Sequence, residues 1–426
     1  MNIAIVGAGI SGLTAAYELT KAGHVVCVFE KESYLGGLAY GFKEKNWDWS
    51  LEYAYHHLFT NDNAILNFVK ELGLENKLIT KRPITATLYD GFMYQLDSAK
   101  TLLTFPGLSF LDRIRTGLLI AAMKFNPFWQ PLERSTAKEI ALAIGGIAGW
   151  KTIWEPLMTG KFGEYADRVA ASWLWARIVK RTPRLMYFEG GFHTFIETLA
   201  EKITQQGGNI LTNTRIFQIK TEETWTIMYG KKKTAFDKVL LTIPTPLAKK
   251  LLIPHASQLE AYFQKPCSIP HLHAQVMILK TKEPILNDIY WLNITNRSFP
   301  FLAVVAHTNF IDKSHYGGNH ITYIGNYLPL NHPFLKMKKQ ALLKTFMPYL
   351  KKLNPNSKLS AVSCELFVGP FAQPVHEKNY STYAPKLQTP MPNLYLANMD
   401  SIYPWDRGTN YAVELGQKAA AEMVKT

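Results

Sequence analysis

The chain has 426 residues, 47% hydrophobic and 13% aromatic, which supports a large core and excludes a disordered or fibrous protein. Lys and Arg outnumber Asp and Glu by 47 to 33, a formal charge of +14, but the cations are scattered, so no nucleic-acid partner is expected. The three cysteines, Cys27, Cys267 and Cys364, form no C-x-x-C pair, which excludes a disulfide scaffold or zinc site and fits a reducing cytoplasm.

Ile3 to Val6 is a short apolar run suited to a buried parallel strand, and Gly7, Gly9 and Gly12 follow at G-x-G-x-x-G spacing. Ala16, Leu19 and Gly23 continue at helical intervals, and the β-branched run Val25 to Phe29 ends on Glu30. Gly7 permits the tight turn, Gly9 the approach of a diphosphate, and Gly12 close packing of helix on strand. Glu30 stands where a carboxylate accepts hydrogen bonds from a ribose, so this stretch predicts a dinucleotide site.

Lys31 to Leu35 is a loop leading to Gly36-Gly37, and the aromatic-rich Trp47 to Phe59 carries His56-His57. Asn63 to Leu72 reads as a helix and Thr85 to Leu96 as a hairpin around Asp90-Gly91. Ser98 to Thr182 reads as helical, with a capping-box match at Thr136-x-x-Glu139. Within it, Phe105 to Trp129 reads first as core packing, with contact at a bilayer surface as the alternative. No run of about 18 apolar residues predicts a transmembrane helix, and the N-terminus lacks the charged n-region of a signal peptide.

From Glu189 the α/β pattern returns: Gly190-Gly191, a helix to Gln206 capped by Thr194-x-x-Glu197, and strands at Ile210 to Leu211, Arg215 to Lys220 and Asp237 to Ile243. Strands are expected at His273 to Leu279, Ile289 to Ile294, Phe301 to Ala306, Ile321 to Tyr327 and Leu359 to Phe367, around a basic helix from Pro333 to Leu353. Asn393 to Ala397 reads as a strand and Thr409 to Val424 as a closing helix. The expected division is a discontinuous nucleotide domain (1–80, 187–247, 387–426) and an α+β substrate domain (81–186, 248–386).

Three separated segments resemble the flavin amine oxidase superfamily, which includes protoporphyrinogen oxidases and phytoene desaturases. They are the dinucleotide motif running to Gly36-Gly37; Glu189 to Phe192 with Thr214-Arg215-Ile216 and Asp237 to Thr242; and Asn393 to Ala397 followed by Arg407 to Val413. The resemblance implies an α/β fold, a Rossmann-type FAD-binding domain with an inserted α+β substrate domain. It also implies non-covalent FAD, no cysteine lying near the C-terminal motif. Gly7, Gly9, Ile10, Ser11 and Gly12 would hold the diphosphate, Glu30 and Lys31 the adenosine side, and Gly36, Gly37 and Leu38 the diphosphate and ribityl chain. Ile216 and Thr242 would border the cofactor, Asp400 the ribityl chain, and Thr409, Asn410, Tyr411 and Val413 the flavin pyrimidine. Departures are Leu38 where many relatives have arginine, Asn398-Met399-Asp400 in place of Gly-Asp, and Gln275 and Val276 where amine oxidases proper carry a lysine.

The expected function is oxidation of a largely apolar small molecule at a C–N or C–C bond by hydride transfer to flavin N5, with oxygen or a quinone among the electron acceptors. Tyr53, Tyr55, His56 and His57 are candidates to face the flavin, with a hydrogen-bonded structural pair as the plainer reading of the histidines. Tyr403, Trp405, Asp406 and Arg407 precede the last helix, and Arg407 suits either an anionic substrate group or a pair with Asp406. The alternatives are a non-redox flavin isomerase or mutase, and a catalytically silent FAD-binding scaffold. No metal site is expected; the chain is expected in the cytoplasm or peripherally at a membrane, and its oligomeric state is left open.

Overall fold

The structure, a computed structural model, describes residues 1–221, 223–359 and 361–425. Asn2–Val6 is the middle strand of a five-stranded parallel sheet ordered Asn209–Leu211, Val25–Phe29, Asn2–Val6, Lys238–Leu241, Leu394–Leu396. Alternate side chains serve opposite faces: Ile3 and Ile5 join Leu13, Leu19 and Leu199 in one core, while Ala4 and Val6 join Trp225, Ile227 and Leu241 in another. Helices Ile10–Lys21, Phe192–Gln205 and Thr409–Lys425 cover the first face. A Cβ on Gly416 would lie 2.5 Å from Ser11 O, so the last helix lies hard against the first turn of the first helix.

A second, seven-stranded sheet runs Ala361–Pro374, His271–Thr281, His320–Leu328, Ala303–Ala306, Ile289–Ile294, Ile84–Tyr89, Phe92–Gln95. Its pairs are antiparallel except Ile289–Ile294 with Ile84–Tyr89. Helices between 99 and 180 pack beside it around Trp150, Phe162, Trp173 and Trp175. The fold is thus a Rossmann-type parallel sheet joined to an α+β part, with the hairpin at Asp90-Gly91 and the Thr136–Glu139 capping box as expected.

Several local expectations differ. The helix expected to be capped by Thr194 starts at Phe192, because buried Glu52 accepts the Phe192 N–H at 2.7 Å; Thr194 instead donates to Glu189 O. Trp225–Tyr229 and Lys232–Phe236 form an unanticipated antiparallel sheet with Ile216–Thr221. Its lysine-rich outer strand buries only Phe236 fully and so carries almost no hydrophobic period. Phe105 to Trp129 is not simply core: Phe105, Leu119 and Met123 are buried, but Phe110, Leu111, Ile114, Leu118, Phe125 and Phe128 are exposed. No helix among the described residues is long and apolar enough to cross a membrane.

Candidate functional site

Strand Asn2–Val6 ends at Gly7, whose φ of +107° suits a residue without a side chain and whose N–H donates to Phe29 O at 2.8 Å. Helix Ile10–Lys21 opens directly after Gly9 with no side-chain cap, so its first N–H donors and its positive dipole end face the space before the loop. A Cβ on Gly9 would meet nothing within 4 Å; one on Gly12 would sit 2.1 Å from Gly7 O. The first glycine keeps a cradle open, and the second lets the helix close on the turn.

The remaining walls come from distant parts of the chain. Gly36 N–H donates to Ala8 O at 2.9 Å, and a Cβ on Gly37 would lie 3.2 Å from Gly9 Cα. Thr242 Oγ1 donates to Val6 O and Gly7 O at 3.0 and 2.9 Å, tying the neighbouring strand to the loop. Glu30 accepts the Ala8 and Glu32 N–H groups at 2.9 and 3.0 Å, which orients its carboxylate while leaving lone pairs for a ribose. Thr214 N–H donates to Glu30 O at 2.7 Å, bringing Ile216, the start of strand Ile216–Thr221, to the same side. Uncapped donors, an open cradle and an oriented carboxylate fit a dinucleotide diphosphate and ribose.

Other expected residues have tasks within the protein. Ile10, Thr409 and Val413 are buried, Ser11 is half-buried at the helix start, and exposed Lys31 pairs with Glu32 at 2.8 Å. Leu38 lies against the space where a Cβ on Gly369 would stand. Asn410 Oδ1 accepts Ile65 N–H at 3.1 Å and so heads helix Asn63–Glu71. Tyr411 stacks on Trp405, with ring centroids 5.6 Å apart, and Trp405 on Trp175 at 5.1 Å. Asp400 is buried, receiving the Thr245 hydroxyl at 2.5 Å and facing His271 Nε2 at 2.6 Å.

Beyond the cradle, burial dominates the electrostatics of His56, His57, Arg177 and Arg407, yet each keeps some accessible surface. Such side chains border an internal hollow. Tyr55 crosses the strand at Gly325, where a Cβ would come within 2.8 Å of its ring, and meets Trp291 edge-on at 4.9 Å. Burial pulls His56 down to about 4 and His57 to about 3, so both are neutral near pH 7. His56 Nδ1 lies 2.7 Å from Ala54 O, so Nδ1 carries the proton and Nε2 is the free acceptor. His57 Nδ1 lies 3.3 Å from the Tyr290 hydroxyl.

Asp406 does not pair with the Arg407 guanidinium. Its Oδ2 meets Lys161 Nζ at 2.7 Å, and its Oδ1 accepts Gln373 Nε2 and the Arg407 backbone N–H at 3.1 and 3.0 Å. Arg407 Nε donates to Gln373 Oε1 at 3.0 Å, with its guanidinium 4.8 Å from the Tyr327 ring centroid. Burial pulls Lys161 down to about 7; Asp406 opposes that, while Arg177 and Arg407 push the same way. Burial alone would raise Asp406, but Lys161 and Arg177 hold it well below the usual carboxylate range.

Lys161, Arg177, Arg181 and Glu52 were not anticipated from sequence, although Trp173, Arg177 and Arg181 recur every four residues along one helix face. Burial raises Glu52 to about 7 despite its bonds from Tyr187 Oη and Phe192 N–H at 2.7 Å each. A raised carboxyl contributes full stability below its unfolded value and loses it as pH climbs through the folded value. Relative to Glu52→Gln, the wild-type chain is expected to lose about 3 kcal/mol of unfolding free energy between pH 5 and pH 9, from about 1.4 kcal/mol per unit. Parallel denaturant curves for the two proteins check this; a pH-independent difference refutes it.

Comparison with known proteins agrees with this geometry. The family model for flavin containing amine oxidoreductases matches residues 10–424. Over 78 residues, 18% of this chain, the sequence is 38% identical to a 15-cis-phytoene desaturase from Synechococcus elongatus. Over 255 residues, 53% of this chain, it is 25% identical to a zeta-carotene desaturase from Synechocystis. These alignments span 16% and 51% of the two relatives' own lengths. The fold matches an oxidoreductase from Methanosarcina mazei along 100% of both chains, at a TM-score of 0.76 and 20% identity.

Proposed function

The chain belongs to the flavin containing amine oxidoreductase family, and from that premise we propose that it is an FAD-dependent oxidoreductase that dehydrogenates a C–N or C–C bond of a largely apolar small molecule. The observation that carries this reading is the open cradle at Gly9, headed by the uncapped start of helix Ile10–Lys21 and flanked by the oriented Glu30 carboxylate. FAD held there without a covalent link would supply the two-electron acceptor, its N5 taking the hydride.

The chain's own residues bind, orient and exclude water. Gly9, Gly37 and the first turn of helix Ile10–Lys21 would hold the diphosphate, and Glu30 the ribose. The Trp175–Trp405–Tyr411 stack and Trp291 supply an apolar wall. Neutral His56 offers Nε2 as a proton acceptor of low basicity, which suits a substrate whose C–H leaves as hydride without strong base assistance. Anaerobic addition of amines, porphyrinogens, polyenes and nucleotide sugars to the flavin-loaded protein tests the reading. One class is expected to bleach the flavin, and oxygen or a quinone to restore it. Conversion with no net acceptor consumed would instead identify an isomerase, and absence of bleaching by every class would favour a silent scaffold.

A lipid surface is the partner we assign to helix Phe110–Phe125. The helix is inverted: Thr116 is 0% exposed, whereas Leu118 and Phe125 are 57% and 83% exposed. Leu111, Ile114, Leu118 and Phe125 form one apolar stripe, continued by Phe128, Ile144 and Ile147. Lys100 and Arg115 are exposed beside the stripe, while the Lys124 ammonium is turned onto the Ile178, Val179 and Arg181 carbonyls and half-exposed Asp112 is engaged by the Ser109 hydroxyl. A second copy would oppose like charges there, whereas an anionic bilayer complements them. Vesicles of phosphatidylglycerol are expected to sediment the protein, and Leu118→Glu/Phe125→Glu to weaken that binding at least about tenfold. A dimer dissociated by the same substitutions, with no vesicle binding, overturns the assignment.

A further inference from the structure

Lys161 and Arg177 share the Trp173 ring, Lys161 and Arg407 share the Tyr327 ring, and Asp406 is the carboxylate among them; exposed Arg181 follows at the end of the helix that carries Arg177. Lys161 is paired with Asp406, and Arg407 is anchored by Gln373. Arg177 and Arg181 have no hydrogen-bond or ion-pair partner for their guanidinium groups among the described residues; Arg177 has only the Trp173 ring, 5.5 Å from its guanidinium carbon. They stand one turn apart at the end of helix Ala171–Lys180, close enough that repulsion by Arg177 is the largest influence on Arg181. The C-terminal helix dipole supplies about half a negative charge, too little for two guanidinium groups. Arg181 is exposed, so water serves its donors, whereas half-buried Arg177 holds five N–H donors beside Lys161 and Trp173 with no protein acceptor.

The aromatic stack of Trp175, Trp405 and Tyr411 stands on the same two elements as the cations, so the hollow combines an apolar wall with a positively charged end.

We propose that Arg177, Arg181 and Arg407 bind an anionic oxygen group of the substrate, a carboxylate or a phosphate, and thereby fix which bond of an otherwise apolar molecule lies at the cofactor. The proposal rests on the oxidoreductase reading for the word substrate; the anion site itself does not depend on it. Arg407 and Arg177 can offer forked donors from two sides, and Lys161–Asp406 is a positioning pair that holds Gln373 and through it Arg407.

The test uses the full chain, with flavin content measured first, and titrates inorganic pyrophosphate and glutarate separately by calorimetry at low and high salt. One series is expected to saturate with 1:1 stoichiometry and to weaken with salt; pyrophosphate preference assigns a phosphate, glutarate preference a carboxylate. Arg177→Gln/Arg181→Gln is expected to weaken binding at least about tenfold with flavin content unchanged, and Arg177→Lys to recover part of it. Because the substitutions relieve like-charge repulsion, the double variant should also melt no lower than wild type without anion, an outcome that a purely structural role for these arginines does not produce. Binding of neither anion, or equal binding by the double variant, overturns the proposal even if the protein holds flavin. A protein that cannot be reconstituted with FAD yet still binds glutarate refutes the oxidoreductase reading alone.

Discussion

Gly9→Val is expected to fold like the wild-type chain and to purify without flavin. The position has φ −72° and ψ 173°, an extended conformation any residue adopts, and its Cβ would touch no protein atom within 4 Å. The apoprotein therefore should not suffer; a side chain for glycine at a compatible position removes unfolded-state freedom and stabilises by about 0.4–1 kcal/mol. A diphosphate on the helix N-terminus would occupy the same space as the new methyl groups, so FAD affinity should fall at least about 100-fold, or about 2.7 kcal/mol. Thermal melts with added FAD separate the two effects. Wild-type apoprotein should gain about 2.7 kcal/mol at a hundredfold excess over its dissociation constant, and the variant nothing. Gly12→Ala is the contrasting control, because its Cβ would stand 2.1 Å from Gly7 O and must distort the loop before any ligand arrives. A Gly9→Val protein that retains stoichiometric FAD would remove the cradle from this account.

Asp406→Ala should be the most destabilising single change at the hollow, by about 3–5 kcal/mol, because it strands a buried lysine. Lys161 Nζ has Asp406 as its ion-pair partner at 2.7 Å and otherwise meets aromatic rings, the nearest being Trp173 at 4.7 Å. Lys161→Met in the same chain should recover most of the loss, since the stranded buried amine and not the space left by the carboxylate carries the cost. Asp406→Asn gives a sharper signature. Lys161 is already pulled down to about 7, and without the aspartate it must fall further. A lysine whose folded value is depressed loses stability as pH drops from the unfolded value through the folded one. As pH falls from 7 to 5 the wild-type lysine becomes fully charged and its penalty levels off, whereas the asparagine variant is still losing stability. The difference between the two proteins should therefore widen as pH falls across that window. A constant difference would show that Asp406 matters for its hydrogen bonds to Gln373 and Arg407 and not for its charge.

The cradle was legible because its requirements are local. Gly7, Gly9 and Gly12 lie within six residues, and Glu30 follows after one helix and one strand whose apolar periods are unbroken. The same holds for the hairpin at Asp90-Gly91 and the capping box at Thr136, each satisfied within a few residues. The Thr194 cap has the same sequence signature yet did not form, because Glu52, 140 residues away, reached Phe192 N–H first. Leu118 and Thr116 make the complementary case: hydrophobicity alone put the leucine inside, and the packing of its helix against Gly145 and Gly149 put the threonine there instead.

The sequence by itself determined that a dinucleotide loop opens the chain, that a parallel sheet follows it, and that the closing segment belongs with it, since glycine spacing and strand periodicity are properties of neighbouring residues. Only the tertiary structure decided what surrounds the hollow. Lys161, Arg177, Gln373, Asp406 and Arg407 come from three separate stretches; the first three read in sequence as ordinary helix or strand residues, and Asp406 and Arg407, though candidates there, did not disclose Lys161 and Gln373 as their partners. Their meaning lies in mutual burial and in an excess of positive over negative charge. Electrostatic energy inside a protein depends on distances between side chains and on the water excluded around them, and neither quantity exists until distant segments have packed.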